Sequence, residues 1–240
     1  MDYSLVSKRG DRKLNEDFVD TFTTSGRRFF IVADGLGGQG YGEVASKEAV
    51  CAAKNYFVKN AAGPLKEIFE GVFNEAHYRL RELQNEASDY SSFKTTFTVL
   101  AVERNIVFCG YIGDTRVYHF ENGFIKDYTK DHSVPQLLAD LGEIDEDEIR
   151  LHPKRHCLTR VLGDDDEIMK PSVCEIKREK YDAFIICTDG FWESVDEKYM
   201  EYSLQNSADS REWIELMLKE IENDNSENNT DNYSLIAIIV

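Results

Sequence analysis

Phe29-Phe-Ile-Val-Ala33 runs without interruption into Asp34, and the chain then turns on Gly35-Leu-Gly-Gly38. A short continuous apolar run bounded by glycines is the pattern of a strand covered on both faces. Its last side chain is a carboxylate, delivered to the edge of an apolar layer. A carboxylate there is costly unless it is paired, hydrogen-bonded or bound to a metal. The glycines that follow let the backbone turn sharply and let a ligand come close.

The same construction recurs at 183–190, Ala-Phe-Ile-Ile-Cys-Thr-Asp-Gly, which ends at Asp189-Gly190. Gly110-Tyr-Ile-Gly-Asp114 is a weaker copy, and Asp231 stands before the last apolar run, Leu235 to Val240. One Asp-Gly is most often an ordinary turn. Four apolar segments that each carry an aspartate at one end are harder to treat that way. Laid side by side, they would converge their carboxylates into an all-oxygen site for a hard cation such as Mg²⁺ or Mn²⁺.

The charge balance narrows the partners. There are 45 acidic and 28 basic residues, a formal net charge of -17. This argues against a nucleic-acid backbone or an anionic membrane surface as the main partner, and it favours a monomer. An anionic substrate would meet repulsion unless bound metal ions reversed the local sign. The five cysteines are odd in number and lack any CxxC spacing. That usage fits a reduced, cytoplasmic chain, with Cys109 and Cys187 as small core residues. No signal peptide is visible, and no apolar stretch approaches the ~18 residues of a membrane span.

Read in order, residues 2–7 predict an edge strand. Residues 18–23 predict a strand that pairs with 28–33 across Ser25-Gly26. Helical spacing of Val44, Ala45, Ala49, Ala52, Ala53 and Tyr56 predicts a helix from Gly42 to about Lys59. Pro64 opens a second helix whose stripe includes Leu65, Ile68, Phe69, Val72, Phe73, Ala76, Leu80 and Leu83, with His77 at its boundary. Residues 95–120 change to strand character, and Asn122-Gly123 is a hairpin signal. His119 reads as structural. Asp131-His-Ser caps a helix at Val134–Leu141, within a less regular stretch, 131–170, expected to be a mobile flap. Helices follow at about 196–206 and 209–222, and a polar loop at 223–229 leads into Asp231. Strands, two helices, more strands, then two helices and a strand suggest an α+β fold in a single domain spanning 1–240.

Eight short motifs now stand in order: Arg12-Lys-Leu-Asn-Glu-Asp17, Ala33-Asp-Gly-Leu-Gly-Gly38, Lys94-Thr-Thr, Gly113-Asp-Thr-Arg-Val-Tyr118, Asp131-His-Ser-Val, His152-Pro with Leu158-Thr-Arg-Val-Leu-Gly163, Thr188-Asp-Gly-Phe, and Asp231-Asn232. Together they resemble the metal-dependent serine/threonine protein phosphatases of the PPM, or type-2C, family, in its compact bacterial form. The resemblance implies a four-layer αββα sandwich of two central, mainly antiparallel sheets flanked by helix pairs. It implies that Asp34 bridges two Mg²⁺ or Mn²⁺ ions with the Gly35 carbonyl on one of them, and that Asp189 and Asp231 complete the other. Asp114, with Asp189, would hold a third, weaker ion. Glu16, Asp17 and Asn232 would act from behind these ligands, and Arg12 would grip the substrate phosphate. The implied activity is hydrolysis of phosphoserine and phosphothreonine in proteins phosphorylated by a Ser/Thr kinase. The alternative is a non-catalytic module that uses the same fold to dock a partner protein. Lys94 replaces the family's glycine, Gln39 replaces a histidine that often follows the Asp-Gly turn, and Thr115 and Thr188 stand where the family has serine, keeping the hydroxyl. A metal-bound water is then one candidate for the general acid.

Overall fold

The computed structural model describes residues 1–37, 41–60, 62–165, 168–179, 182–223 and 231–240. One sheet has the order β1-β11-β10-β7-β8, built from Asp2–Lys8, Tyr233–Ile239, Asp182–Cys187, Arg116–Glu121 and Phe124–Tyr128. The other has the order β2-β3-β5-β6-β9, built from Asp17–Thr24, Arg27–Leu36, Phe97–Glu103, Ile106–Ile112 and Ser172–Lys177. The two-residue β4 (Lys94–Thr95) pairs with the end of β3. The ladders between these strands are antiparallel.

Side chains on a strand alternate between faces, and here each face has its own cover. Phe29, Ile31 and Ala33 of β3 and Phe97, Val99 and Ala101 of β5 pack under α1 (Tyr41–Asn60) and α2 (Leu65–Ala87). Phe30, Val32, Leu100 and Val102 point the other way and meet Phe184, Ile186, Ile236 and Ile238 of the first sheet. The opposite face of that sheet, with Ala183, Ile185, Cys187, Leu235 and Ala237, packs on Met200, Trp213 and Met217 of α5 (Glu197–Gln205) and α6 (Ser210–Asn223). The result is the α+β sandwich, helix pair, sheet, sheet, helix pair. Its central strands read as continuous apolar runs because neither face meets water.

Most expected elements are present. Ser25 and Gly26 (φ 51° and 75°) and Asn122 and Gly123 (φ 53° and 86°) make the two tight hairpin turns. Ser133 caps α3 (Val134–Asp140), accepting a hydrogen bond from the Gln136 amide. Pro64 stands as the residue before α2.

Two expectations are corrected, and three elements go beyond them. The buried face of α1 runs through Ala45, Ala49, Val50, Ala53 and Phe57, while Val44 is exposed, so the face is rotated from the one expected. Aromatic packing explains it, since Phe57 meets Phe29 in a tilted pair with ring centroids 4.2 Å apart. His77 is no boundary residue: it is buried, and its Nδ1 accepts the Gly163 amide at 3.2 Å. Strand β9, a 3₁₀ turn at Glu146–Leu151 and the short helix α4 (Asp189–Trp192) were not expected at all. The polar loop expected at 223–229 lies almost wholly outside the described residues.

Candidate active site

Asp34, Asp114, Asp189 and Asp231 line one open cleft of about 780 Å³, together with Arg12, Glu16, Gly35 and Asn232. All the aspartates marked by the strand-end pattern are therefore brought together. Each is held by a motif whose purpose is now visible. The Asp34 amide donates to Thr96 Oγ1 (2.9 Å), and its carbonyl accepts from Thr95 Oγ1 (2.7 Å) and the Thr96 amide (2.8 Å). Thr96 Oγ1 also bonds Thr115 Oγ1 at 2.7 Å, which ties the Asp34 backbone to the turn that carries Asp114. The Asp114 carbonyl accepts from Trp192 Nε1 at 3.0 Å.

Asp189 opens α4. The preceding Thr188 hydroxyl donates to Asp17 Oδ2 and accepts the Ser234 amide, each at 3.0 Å. A Cβ at Gly190 would lie 2.1 Å from the Asn232 carbonyl oxygen, so only glycine lets the two chain segments meet there. Gly35 is tighter still, with Gly42 O 2.0 Å from a Cβ position. Asn232 fastens the loop before β2: its Nδ2 donates to Arg9 O and Leu14 O, and its Oδ1 accepts the Glu16 amide at 2.8 Å. Arg12 Nη2 lies 2.7 Å from Asp231 Oδ2, on a side chain 55% exposed.

Asp17 sits opposite Asp34 in the β2–β3 register and is buried. Its Oδ1 has no hydrogen-bond partner among the described residues. Burial raises its pKa to about 7, with Asp189 and Asp231 adding repulsion. Burial likewise pushes the Asp34 carboxyl well above the usual range, helped by the charges of Asp17, Asp189, Asp114 and Asp231. Asp114 is raised by burial and by Asp189, and Glu16 by burial. Such a cluster holds protons until cations offset its repulsion. An all-oxygen donor set with an orphaned buried carboxylate oxygen fits Mg²⁺ or Mn²⁺.

Two residues of the site escaped the sequence reading. His156 lines the cleft, with Nδ1 3.7 Å from Asp189 Oδ2. Glu193 completes a trio: His156, Asp189 and Glu193 each offer a ligand atom within 4.8 Å of the others. Glu193 follows Asp189 by four residues, a helical spacing that would have exposed it had α4 been expected. His156 carries no spacing signal. Lys94 does not line the cleft; its Nζ pairs with Asp164 Oδ1 at 2.9 Å. Gln39 lies outside the described residues. His132 plays a packing role. Its Nδ1 accepts the Gly113 amide at 3.0 Å, its ring stacks on Tyr111, and burial lowers its pKa to about 4. His119 is structural as expected, stacked on Phe184 and 3.4 Å from Asp182.

Behind the cleft lies a buried ion pair. Arg116 grips Asp131 with both ends of its guanidinium (2.9 and 2.8 Å) and lies 3.6 Å from the centre of a Trp192 ring. It joins β7, the start of the 131–170 stretch and the helix opened by Asp189.

A family model described as protein phosphatase 2C matches residues 6–231. Protein phosphatase PhpP of Streptococcus pneumoniae is 30% identical over 199 residues, covering 79% of this chain and 78% of PhpP. The PPM Ser-Thr phosphatase MsPP from Mycobacterium smegmatis, crystallised in complex with cacodylate, superposes with a TM-score of 0.82 at 28% identity, covering 99% of this chain and 97% of its own. The catalytic domain of the serine/threonine protein phosphatase PstP, in complex with two manganese ions, superposes with a TM-score of 0.81 at 25% identity, with coverage of 99% and 97%.

Proposed function

This chain belongs to the protein phosphatase 2C family, and on that premise we propose that it is a metal-dependent hydrolase of phosphoserine and phosphothreonine in proteins. The observation that carries the reading is the convergence of Asp34, Asp114, Asp189 and Asp231 in one cleft with Arg12. Asp34, the Gly35 carbonyl, Asp189 and Asp231 would hold two Mg²⁺ or Mn²⁺ ions, for which the manganese pair of PstP is the precedent. Asp114, with Asp189, would hold a third, weaker ion. Bound there, the ions would supply a water acidic enough to attack phosphorus at neutral pH and would offset the phosphoryl charge.

The chain's own residues do the rest. Arg12 presents a planar fork that matches phosphate oxygens two at a time. Asp17 and Glu16 stand behind the ligands, where their carboxylates would hold water and orient the site. Asn232 keeps the Arg12 loop in place through its bonds to Arg9 and Leu14. No nucleophilic Ser or Cys is required, because the attacking oxygen comes from water.

We place this domain, residues 1–240, in the cytoplasm as a monomer that reverses a Ser/Thr kinase. No helix among the described residues is long and apolar enough to cross a membrane. The test is phosphate release from a phosphothreonine peptide with Mn²⁺, with Mg²⁺ and with EDTA, beside Asp189→Ala. Release should need metal and vanish in the variant. A folded protein that releases nothing under any condition would return the weight to a docking module.

The 131–170 stretch is proposed to be a flap that moves over the cleft. Among residues 141–150 only Ile149 is buried, so few apolar contacts hold it shut. Its ends are tied to the rest of the fold by the Arg116–Asp131 pair and the Thr95–Leu162 backbone bonds, and its middle by the Arg150–Glu197 bonds at 2.8 Å. Hydrogen exchange should find 140–155 less protected than β3 and β10 by orders of magnitude; equal protection would refute a flap.

A further inference from the structure

The chain is strongly acidic, yet two of its stretches are not. Residues 8–13 hold Lys8, Arg9, Arg12 and Lys13 against Asp11 alone, and residues 151–163 hold Lys154, Arg155 and Arg160 with no acid. They are distant in sequence and meet at the same cleft, the first through Arg12 and Lys13, the second through His156 and Leu158. Three of the cations already have partners. Arg12 lies on Asp231, Arg155 on Glu193 at 2.9 Å, and Arg160 bonds the Lys170 carbonyl beside His132. Arg9, Lys13 and Lys154 are exposed and make no ion pair among the described residues. A net charge of -17 would repel an acidic substrate from most of the surface, so uncommitted Lys13 on the cleft lining, and Lys154 two residues before the lining residue His156, act where an anion must enter.

We infer that the preferred substrate is a phosphoserine or phosphothreonine flanked by acidic side chains, read by Lys13 and Lys154 at the cleft rim. The inference rests on the phosphatase reading and names its substrate class. An extended peptide advances about 3.3 Å per residue. A side chain two or three positions from the phosphorylated residue therefore lies roughly 7–10 Å out, at the rim rather than among the carboxylates. Carboxylates at that distance meet the lysines first and feel the aspartates more weakly than they would inside the cleft.

The experiment measures binding apart from turnover. Fluorescence anisotropy would follow peptides that carry a phosphonate analogue of phosphothreonine, which cannot be hydrolysed, with Mg²⁺ present. The flanks are Glu, Gln or Lys in an otherwise constant sequence. At low salt the Glu-flanked peptide should bind about five- to tenfold tighter than the Lys-flanked one, and the gap should close at about 0.5 M salt. The double variant Lys13→Glu/Lys154→Glu, checked for folding by its melting curve, should reverse the order. Equal affinity for all three peptides, or an order unchanged in the double variant, would overturn the inference. Turnover of p-nitrophenyl phosphate with Mn²⁺, which has no flanks, decides the catalytic reading separately. Turnover with indifferent binding keeps the phosphatase and refutes the acidic preference. Discriminating binding without turnover keeps the preference and refutes the phosphatase.

Discussion

Asp34→Asn is expected to lower metal-dependent phosphate release by roughly a thousandfold, as the loss of several kcal/mol of transition-state stabilisation requires. The same variant should raise the melting temperature of the metal-free protein. The two effects have one cause. Asp34 is crowded by the carboxylates of Asp17, Asp189, Asp114 and Asp231 and is desolvated, so its charged form is disfavoured in the fold. Asparagine keeps the shape and removes the charge.

The sign can be followed with pH. A carboxylate whose pKa is raised in the fold stabilises the protein while protonated. For Asp17 that contribution is full below its ordinary value of 3.8 and is lost as pH rises to about 7. Metal-free wild type should therefore lose stability, on the order of a few kcal/mol, across that window. Asp34→Asn should flatten the loss, and Mn²⁺ should restore stability at pH 7 in the wild type far more than in the variant. Melting curves in EDTA and in Mn²⁺ at three pH values check this. Parallel pH slopes in wild type and variant would show that the carboxylates do not strain the fold. Retained activity in Asp34→Asn would remove this residue from the metal site.

Arg116→Met should be the most damaging single change outside the cleft. It leaves Asp131 buried with no cation, in a place where burial already raises its pKa despite Arg116. Breaking a buried pair by removing one partner costs about 3–5 kcal/mol. For a chain of this length that corresponds to a melting temperature lower by roughly 10 °C. Asp131 can take up a proton, which limits the loss at acid pH, so the deficit should grow as pH rises. Activity should fall as well, because Trp192, left without the guanidinium over its ring, also holds the Asp114 carbonyl. Arg116→Met/Asp131→Leu should recover most of the stability, since two apolar groups replace the pair together. A single variant that melts within a degree or two of wild type would mean that the pair contributes nothing net.

Much of this protein could be read from local pattern. The runs at 29–33 and 183–187 announced strands covered on both faces, because an apolar side chain at every position is stable only where neither face meets water. The aspartates that end them marked side chains that the fold brings into one cleft, because a carboxylate at the edge of such a layer needs a compensating charge. Turn chemistry located two hairpins, since positive φ at consecutive residues is tolerated by few residue types. The stripe of α2 gave its buried face at once, from Ile68 to Leu80.

What escaped was decided by contacts between distant segments. Edge strand β9 has an alternating, half-exposed pattern, and it becomes a strand because Cys174 and Ile176 find β6 and the space between the sheets. The rotation of α1 follows from Phe57 finding Phe29, and the burial of His77 from the Gly163 amide reaching it across 86 residues. His156, Glu193 and the basic rim gain their meaning only in the cleft, and Lys94 only from Asp164. Periodicity records which side of an element is apolar. It does not record which partner covers that side, and charge acts through space, so the company each charged group keeps was settled by the tertiary structure alone.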